Sequence, residues 1–209
     1  MTNLTHLHFQ EVLDKKRLEL LPKLKFFKDL WFYLAGWTSL ALQYWHRESI
    51  DFDFFINEDI DTEKLFNKIL EEFQQEKVVK TYEEKNTLYI EINSIKISFF
   101  SYKYDLLKNI IQTDYLNLAS DLDISAMKLW AIQNRATNKD YIDLYYILQK
   151  YSLEEIIEAF FKKFWKIVNE NYLKKSLVYF DDIIEEDLIL HKNISFEEVK
   201  DFLRKKIVE

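Results

Sequence analysis

The chain contains a single glycine, Gly36, and a single proline, Pro22, among its 209 residues. At average usage of about 7% and 5%, a chain of this length would hold about fifteen glycines and about ten prolines. Phosphate-binding loops that need several glycines therefore cannot form, which excludes the P-loop and the dinucleotide-binding fingerprint. Gly36 lies between an apolar run and a helical pattern, where a residue without Cβ can adopt a positive φ or admit a ligand.

The rest of the composition is that of a folded protein. Hydrophobic residues make up 48% of the chain and aromatic residues 17%, which is enough apolar surface for a sizeable core. The length fits one or two domains. The absence of cysteine excludes disulfide scaffolds, thiol nucleophiles, iron–sulfur clusters and cysteine-ligated zinc. It fits a reducing compartment, and it fits equally well an organism that uses little cysteine.

The formal net charge of −7 argues against a broad basic face that neutralises phosphates. Any contact with nucleic acid must then be local. Residues 1–16 lack the basic start and apolar core of a signal peptide, and no segment approaches the roughly 20 apolar residues of a membrane span. These features predict a soluble, cytoplasmic protein without a membrane partner.

The first half of the chain shows patterns of both helices and strands. Residues 5–30 carry apolar positions at helical spacing, interrupted at Pro22, which predicts two helices. Strands are expected at 31–35, 51–56, 87–92 and 95–100, with helices at 38–45 and from 61 or 62 to 73. Asn93 and Ser94 separate the last two strands and predict a hairpin turn.

Beyond Tyr104 the strand pattern disappears. Asp123 and three capping-box patterns of the type Ser/Thr-x-x-Asp/Glu mark helix starts. The predicted helices cover residues 124–135, 137–148, 152–169 and 196–208. We therefore expect two domains, an α/β domain at residues 1–118 and an all-helical bundle at residues 119–209.

Asp51 and Asp53 alternate with Phe52 and Phe54 in one of the predicted strands. The period of two places both carboxylates on one face and both rings on the other. Two like charges at this spacing repel each other, so a cation must offset them: a neighbouring side chain such as Arg47, or a hard divalent metal such as Mg²⁺. Taken alone, the pattern also fits two surface carboxylates at the end of a strand.

Gly36 is followed by Thr38 and Ser39 at the start of a predicted helix. Hydroxyl groups and free backbone N–H groups at a helix N-terminus favour phosphate binding. A plain tight turn is the simpler explanation of a lone glycine. The order of strand, Gly36, helix and the strand with Asp51 and Asp53 is more specific than either feature alone.

Two blocks of sequence carry a family resemblance. The first consists of FYLAGWTSLAL at residues 32–42 and HRESIDFDFF at 46–55, and the second of DISAMKL at 123–129 and KDYIDLY at 139–145. They resemble the polymerase-beta-like nucleotidyltransferases and, within these, the AbiEii/AbiGii-type nucleotidyltransferase family. The resemblance covers about residues 20–150, with residues 179–182 as the clearest match after that.

The resemblance implies an α+β protein: a polymerase-beta-like domain with a small mixed sheet, a C-terminal helical bundle, and an active cleft between them. It also implies a metal-dependent transfer of NMP from an NTP to an acceptor, for example an RNA such as tRNA. The protein would be a toxin or phage-defence component with an antitoxin partner. Asp51 and Asp53 would hold Mg²⁺ or Mn²⁺.

The same resemblance assigns the site residues. Lys128 would face the triphosphate and point toward Asp51 and Asp53 across the cleft, and Asp140 would belong to the catalytic set. The residues expected around the nucleotide are Gly36, Trp37, Thr38, Ser39, Arg47, Ser49, Arg135 and Lys139. An alternative for Lys139 is an ordinary ion pair with Asp143, four residues further on.

Two positions depart from the pattern of the superfamily. Most members have glycine or serine after the motif glycine, where this chain has Trp37. Active members bring a third carboxylate on a later strand, where this chain is expected to have Ser98, because a two-residue hairpin turn pairs Tyr89 with Ser98 and Glu91 with Lys96. A catalytically silent module of the same fold, which binds nucleotide or protein, is therefore the alternative to an enzyme.

Overall fold

The computed structural model describes residues 7–165 and 168–208. Seven strands of these residues form one mixed sheet in the order β3-β4-β5-β2-β1-β7-β6. The strands are β1 (Tyr33–Ala35), β2 (Phe52–Ile56), β3 (Val78–Glu84), β4 (Thr87–Ile92), β5 (Ile95–Ser101), β6 (Ile111–Gln112) and β7 (Asn117–Leu118). The helices are α1 (Phe9–Val12), α2 (Lys15–Leu20), α3 (Lys25–Asp29), α4 (Gly36–Tyr44), α5 (Thr62–Glu72), α6 (Asp121–Asn134), α7 (Asn138–Ile147), α8 (Leu153–Phe164), α9 (Glu170–Ser176) and α10 (Phe196–Val208). This architecture confirms the predicted α+β class.

Strand β2 lies at the centre of the sheet and fixes the position of Asp53. On one side Asp53 is opposite Ala35 of the antiparallel β1, and on the other it is opposite Ser98 of the parallel β5. The β4–β5 hairpin pairs Tyr89 with Ser98, as expected. Its turn contains no glycine. Asn93 and Ser94 instead adopt the positive φ angles, 52° and 66°, that a two-residue hairpin turn requires.

Three strands were not expected from the sequence. β3 is an edge strand in which every residue after Val78 is exposed, so its side chains show no apolar alternation. β6 and β7 have two residues each, too few for a pattern to appear. The expectation that no strand follows Tyr104 is therefore wrong, since β7 extends the sheet by pairing with β1 through Leu34 and Leu118.

The buried side chains form two hydrophobic clusters, which meet at β1 and α4. Leu34 belongs to the cluster between the sheet and helices α2, α3 and α5, whereas Tyr33 and Ala35 belong to the cluster built by α6 to α10. Within α4, Leu40 faces the second cluster and Leu42 the first. The division into residues 1–118 and 119–209 stays a prediction, because β1 and α4 contribute to both clusters.

Two helix boundaries differ from the expectation. Ser120, not Asp123, caps α6, because its side chain accepts the backbone N–H of Asp123 at 3.0 Å. Asp123 lies buried in the first turn, where it accepts a hydrogen bond from Lys163 Nζ at 3.0 Å. α8 ends at Phe164 and Trp165 follows with a φ of 52°, so the helix does not continue to residue 169, and residues 166–167 lie outside the described part.

Helix α9 (Glu170–Ser176) was not expected from the sequence. The capping boxes of α8 and α10 are present as expected. None of the helices in the described part of the chain is long and apolar enough to cross a membrane.

Candidate active site

Gly36 joins the end of β1 to the start of α4, with a φ of +71°. A Cβ atom at this position would lie 3.3 Å from Asp53 Oδ2, a distance shorter than ordinary van der Waals contact. The register of β1 and β2 explains this closeness, since Ala35 is the partner of Asp53. Glycine is thus required here for two reasons: it adopts the positive φ angle without strain, and it leaves room for the Asp53 carboxylate.

Replacing Gly36 with alanine is expected to destabilise the protein by about 1–2 kcal/mol, the usual penalty of a left-handed residue with a Cβ. The methyl group would also push the Asp53 carboxylate away, which should weaken binding of the nucleotide that the resemblance implies here. Thermal unfolding measures the first effect and titration with Mg²⁺ and NTP the second. If the Gly36→Ala protein matches the wild type in both, the glycine has no role at the site.

Asp53 carries an unusual carboxylate. Burial raises its pKa to about 6; the Ser98 hydroxyl, as a hydrogen-bond donor, opposes that change, and the neighbouring charge of Asp51 adds to it. Lys128 and Arg135 lower the pKa, but they do not restore the ordinary value. The negative charge of Asp53 is therefore only partly offset by the protein itself.

Asp51 and Asp53 fit a hard divalent cation. Both side chains are half-buried and close enough for the charge of one to affect the pKa of the other. Among the residues described, no group of three or more His, Asp or Glu side chains could hold a metal ion. A Mg²⁺ ion at this pair would therefore take its remaining ligands from phosphate oxygens and water, as this metal commonly does.

Asp53 lines a cavity of about 370 Å³ between the sheet and the helices, which we call the Asp53 cavity. Its polar side is formed by Gly36, Trp37, Asp53, Ser98, Lys128, Arg135 and Asp140, and its apolar side by Phe55, Tyr89, Phe100, Ile124, Met127 and Ala131. Six of the predicted site residues, from both halves of the sequence, are thus brought together. The other six predicted residues are not among those that line it: Thr38, Ser39, Arg47, Ser49, Asp51 and Lys139.

Lys128 faces this cavity but is not a free cation. Its Nζ lies 3.0 Å from Asp140 Oδ1 and 2.7 Å from Asp143 Oδ2, and only 3% of the residue is exposed. Its charge also reaches Asp53, whose pKa it lowers. The charge of Lys128 therefore acts on the buried carboxylates of Asp140 and Asp143 on α7 and on that of Asp53 on β2.

The ring of Trp37 contacts two cations that line the cavity, Lys128 and Arg135, and a third beside it, Lys139. Its Nε1–H donates to Asp140 Oδ1 at 3.0 Å. The ammonium groups of Lys128 and Lys139 lie 5.0 and 4.4 Å from its ring centroid, and the guanidinium of Arg135 lies at 5.3 Å. These are cation–π distances. The bulky residue after the motif glycine thus gathers the three cations that the resemblance assigns to the triphosphate.

Arg47 does not lie at the cavity, contrary to the expectation. It is 2% exposed, and its Nε and Nη2 donate to the two carboxylate oxygens of Asp143 at 2.8 and 3.0 Å. Buried His46 donates to the same carboxylate from Nε2 at 2.6 Å. A buried carboxylate needs such partners, so Arg47 stabilises the junction between α7 and the segment before β2.

The hydroxyl groups expected at phosphate also point inward. Thr38 donates to the backbone carbonyl of Asp51, and the Ser49 hydroxyl lies 2.7 Å from that of Thr38. Ser39 is fully buried and accepts a hydrogen bond from Gln43 at 3.3 Å. Buried hydroxyls are satisfied by protein groups, so Thr38 fixes the backbone that carries Asp51 instead of presenting its side chain to a ligand.

The ordinary ion pair considered for Lys139 does not form. Lys139 pairs with Glu186, because Asp143 is already surrounded by Arg47, His46 and Lys128. Burial would raise the pKa of Asp143, but the charges of Arg47 and Lys128 and the hydrogen bond from His46 hold that pKa well below the usual value.

Three residues of the cavity were not expected at the site from the sequence: Phe55, Phe100 and Met127. The signal was present for the two phenylalanines, since alternation places Phe55 on the face of Asp53 and Phe100 on the face of Ser98. Their rings stack with centroids 5.1 Å apart. Together with Tyr89 they form an aromatic wall beside the carboxylate.

Comparison with known proteins identifies the family of this chain. The family model described as "Nucleotidyl transferase AbiEii toxin, Type IV TA system" matches residues 20–207. "Uncharacterized protein aq_aa25" of Aquifex aeolicus (strain VF5) is 37% identical over 186 residues, which are 85% of this chain and 87% of that protein.

Two solved structures share the fold. MenT4, the nucleotidyltransferase toxin Rv2826c from Mycobacterium tuberculosis H37Rv, has a TM-score of 0.60 at 15% identity, with 91% of this chain and 80% of that chain covered. JHP933 from Helicobacter pylori has a TM-score of 0.61 at 17% identity, with coverages of 94% and 92%. Because the family match includes the sheet and the helices that line the Asp53 cavity, this chain belongs to the AbiEii nucleotidyltransferase toxin family.

Proposed function

We propose that the Asp53 cavity binds an NTP together with Mg²⁺ or Mn²⁺ and that the protein transfers the NMP group to a hydroxyl of an RNA acceptor. One observation carries this proposal: the incompletely offset carboxylate of Asp53 and the cations Lys128 and Arg135 line the same cavity. An NTP brings about four negative charges, so it needs cations on both sides. Asp51 and Asp53 would hold the metal, which supplies charge neutralisation at the phosphates.

Different side chains contact the phosphates and the base of the nucleotide. Lys128 and Arg135 bind phosphate oxygens, and Trp37 releases these cations from its ring as the triphosphate enters. Gly36 leaves room for phosphate beside Asp53. The aromatic wall of Phe55, Tyr89 and Phe100 is suited to the base.

The reaction balances without a further reactant. An oxygen of the acceptor hydroxyl forms a bond to the α-phosphorus, and the bond from that phosphorus to the oxygen bridging to the β-phosphorus breaks. Pyrophosphate leaves with the electron pair, and the hydroxyl proton is released to solvent. Asp140 contributes by orienting Lys128 and Trp37, to which it is hydrogen-bonded.

Membership of the AbiEii toxin family supports a toxin–antitoxin setting. A toxin of this type acts where NTP and RNA are present, which is the cytoplasm, and an antitoxin protein would be its partner. Modification of RNA by a nucleotide at its end would be the toxic event.

Two labels on the NTP test the function. With purified protein, cellular RNA and Mg²⁺, label at the α-phosphate should appear in RNA, whereas label at the γ-phosphate should appear in pyrophosphate. Chelation of the metal should stop both. If NTP binds but no α-label leaves it with any acceptor, the protein is the silent nucleotide-binding module instead.

Replacing Lys128 with alanine should weaken NTP binding by about 1.5–3 kcal/mol, the range for hydrogen bonds to charged groups, or about 10- to 150-fold. The structure also predicts a loss of stability of about 2 kcal/mol, because Asp140 and Asp143 lose one partner but keep others. Calorimetric titration and thermal unfolding separate the two effects.

Lys163→Ala is the matched control. Lys163 is also buried and paired with a carboxylate, Asp123, at 3.0 Å, but it does not line the cavity. It should lose stability and keep NTP affinity. Equal loss of NTP affinity in both variants would show that Lys128 acts only through folding.

A further inference from the structure

A second and larger cavity adjoins the Asp53 cavity. It has a volume of about 640 Å³ and lies between the last turn of α6, helix α9 and residues 179–184. Arg135 lines both cavities, so the two are neighbours at that side chain. We call it the α9 cavity and define it by Arg135, Tyr172, Lys175 and Tyr179.

The α9 cavity is lined by two cations, Arg135 and Lys175, and by one carboxylate, Asp182, which accepts a hydrogen bond from Tyr179. Lys139 and Lys174 pair with Glu186 and Glu170, whereas Arg135 and Lys175 have no ion-pair partner among the described residues. In a chain with a net charge of −7, two such cations in one cavity are suited to a phosphate group.

The same cavity presents aromatic rings to solvent. Tyr172 and Tyr179 are 61% and 51% exposed. The Tyr179 hydroxyl donates to Asp182 at 3.1 Å, and buried Tyr141 donates to the backbone carbonyl of Tyr179 at 2.8 Å. The position of Tyr179 is thus fixed by its neighbours. Exposed tyrosines beside cations are the usual platform for an unpaired base with its phosphate.

We propose that the α9 cavity binds the end of the acceptor, a single-stranded RNA whose terminal bases stack on Tyr172 and Tyr179 and whose phosphate contacts Lys175. This inference rests on the proposed function. The aromatic wall next to Asp53 is suited to the base of the NTP. The α9 cavity is therefore free to bind the second substrate, the RNA acceptor. The acceptor hydroxyl then reaches the α-phosphate past Arg135.

Binding of a short single-stranded RNA labelled with fluorescein tests the site without requiring catalysis. Tyr172→Ala and Lys175→Glu should each weaken its binding about tenfold or more in fluorescence anisotropy, the scale of one stacked base or one phosphate contact. Tyr172→Phe should bind as the wild type does, because it keeps the ring. Lys174→Ala is the matched control, since Lys174 pairs with Glu170, and it should not change the affinity.

The affinity for Mg²⁺ and NTP should stay unchanged in all of these variants. Unchanged RNA affinity in Tyr172→Ala and Lys175→Glu would overturn the inference, while label transfer by the wild type would leave the proposed function standing. Loss of NTP affinity with intact RNA binding would overturn it too, because the cavity would then hold the base of the NTP. RNA binding that depends on these residues without any label transfer would support the site and refute the proposed transfer.

Discussion

Replacing Asp53 with asparagine should lower nucleotidyl transfer by about a thousandfold or more and leave the protein folded. The change removes the charge that would hold the metal while it keeps almost the same volume, and a metal contributes several kcal/mol to the transition state. Stability should stay equal or rise slightly, because burial and Asp51 both disfavour the charged form of Asp53. Transfer of α-label and thermal unfolding measure the two effects.

Asp59→Asn is the control for this variant. Asp59 is an exposed carboxylate that pairs with Lys103 at 2.8 Å, away from the cavity. It should keep full activity. Undiminished transfer by Asp53→Asn would show that the carboxylate of Asp53 on β2 does not hold the metal.

Asp143→Asn should destabilise the protein by about 3–5 kcal/mol, the cost of leaving buried charges without their partner. Asp143 is fully buried and is the common acceptor of Arg47, Lys128 and His46. For a chain of this length the melting temperature should fall by about 10 °C. Asp201→Asn removes an exposed carboxylate that pairs with Arg204 and should cost less than about 1 kcal/mol.

The pH dependence of stability gives an independent check. Arg47 and Lys128 hold the pKa of Asp143 well below its usual value, so its folded pKa lies below its unfolded one. The stabilisation is then complete above the unfolded pKa of about 3.9 and is lost as the pH falls toward the folded pKa. The difference in unfolding free energy between wild type and Asp143→Asn should be constant near neutral pH and shrink below about pH 4. A difference that is small at neutral pH would show that Asp143 does not organise the junction.

The sequence predicted the parts of the site that depend on local patterns. Alternation placed Asp53 on a strand, the lone glycine marked the junction with α4, and the two-residue hairpin turn predicted the pairing of Tyr89 with Ser98. Each follows from the chain within a few residues. Strands β6 and β7 left no such pattern because they are two residues long.

The roles of charged residues were harder to predict, since they depend on which partners are buried together. Arg47 stands four residues before Asp51 and was expected at the nucleotide, but the fold brings Asp143 from α7 against it. Thr38 was expected to face phosphate, yet it donates to the backbone of Asp51. The sequence shows which side chains are cations or hydroxyls. Their hydrogen-bond and ion-pair partners depend on how α4, α7 and the segment before β2 pack together.

A crystal of the protein with Mn²⁺ and an NTP analogue carrying a methylene group between the α- and β-phosphorus would show whether Asp51 and Asp53 hold the metal beside the triphosphate. Pyrophosphate cannot leave from this analogue, and anomalous scattering locates the manganese. We predict a manganese peak at ligand distance from the Asp51 and Asp53 carboxylates, with the triphosphate against Lys128 and Arg135. A manganese peak elsewhere, or a triphosphate outside the Asp53 cavity, would contradict the account.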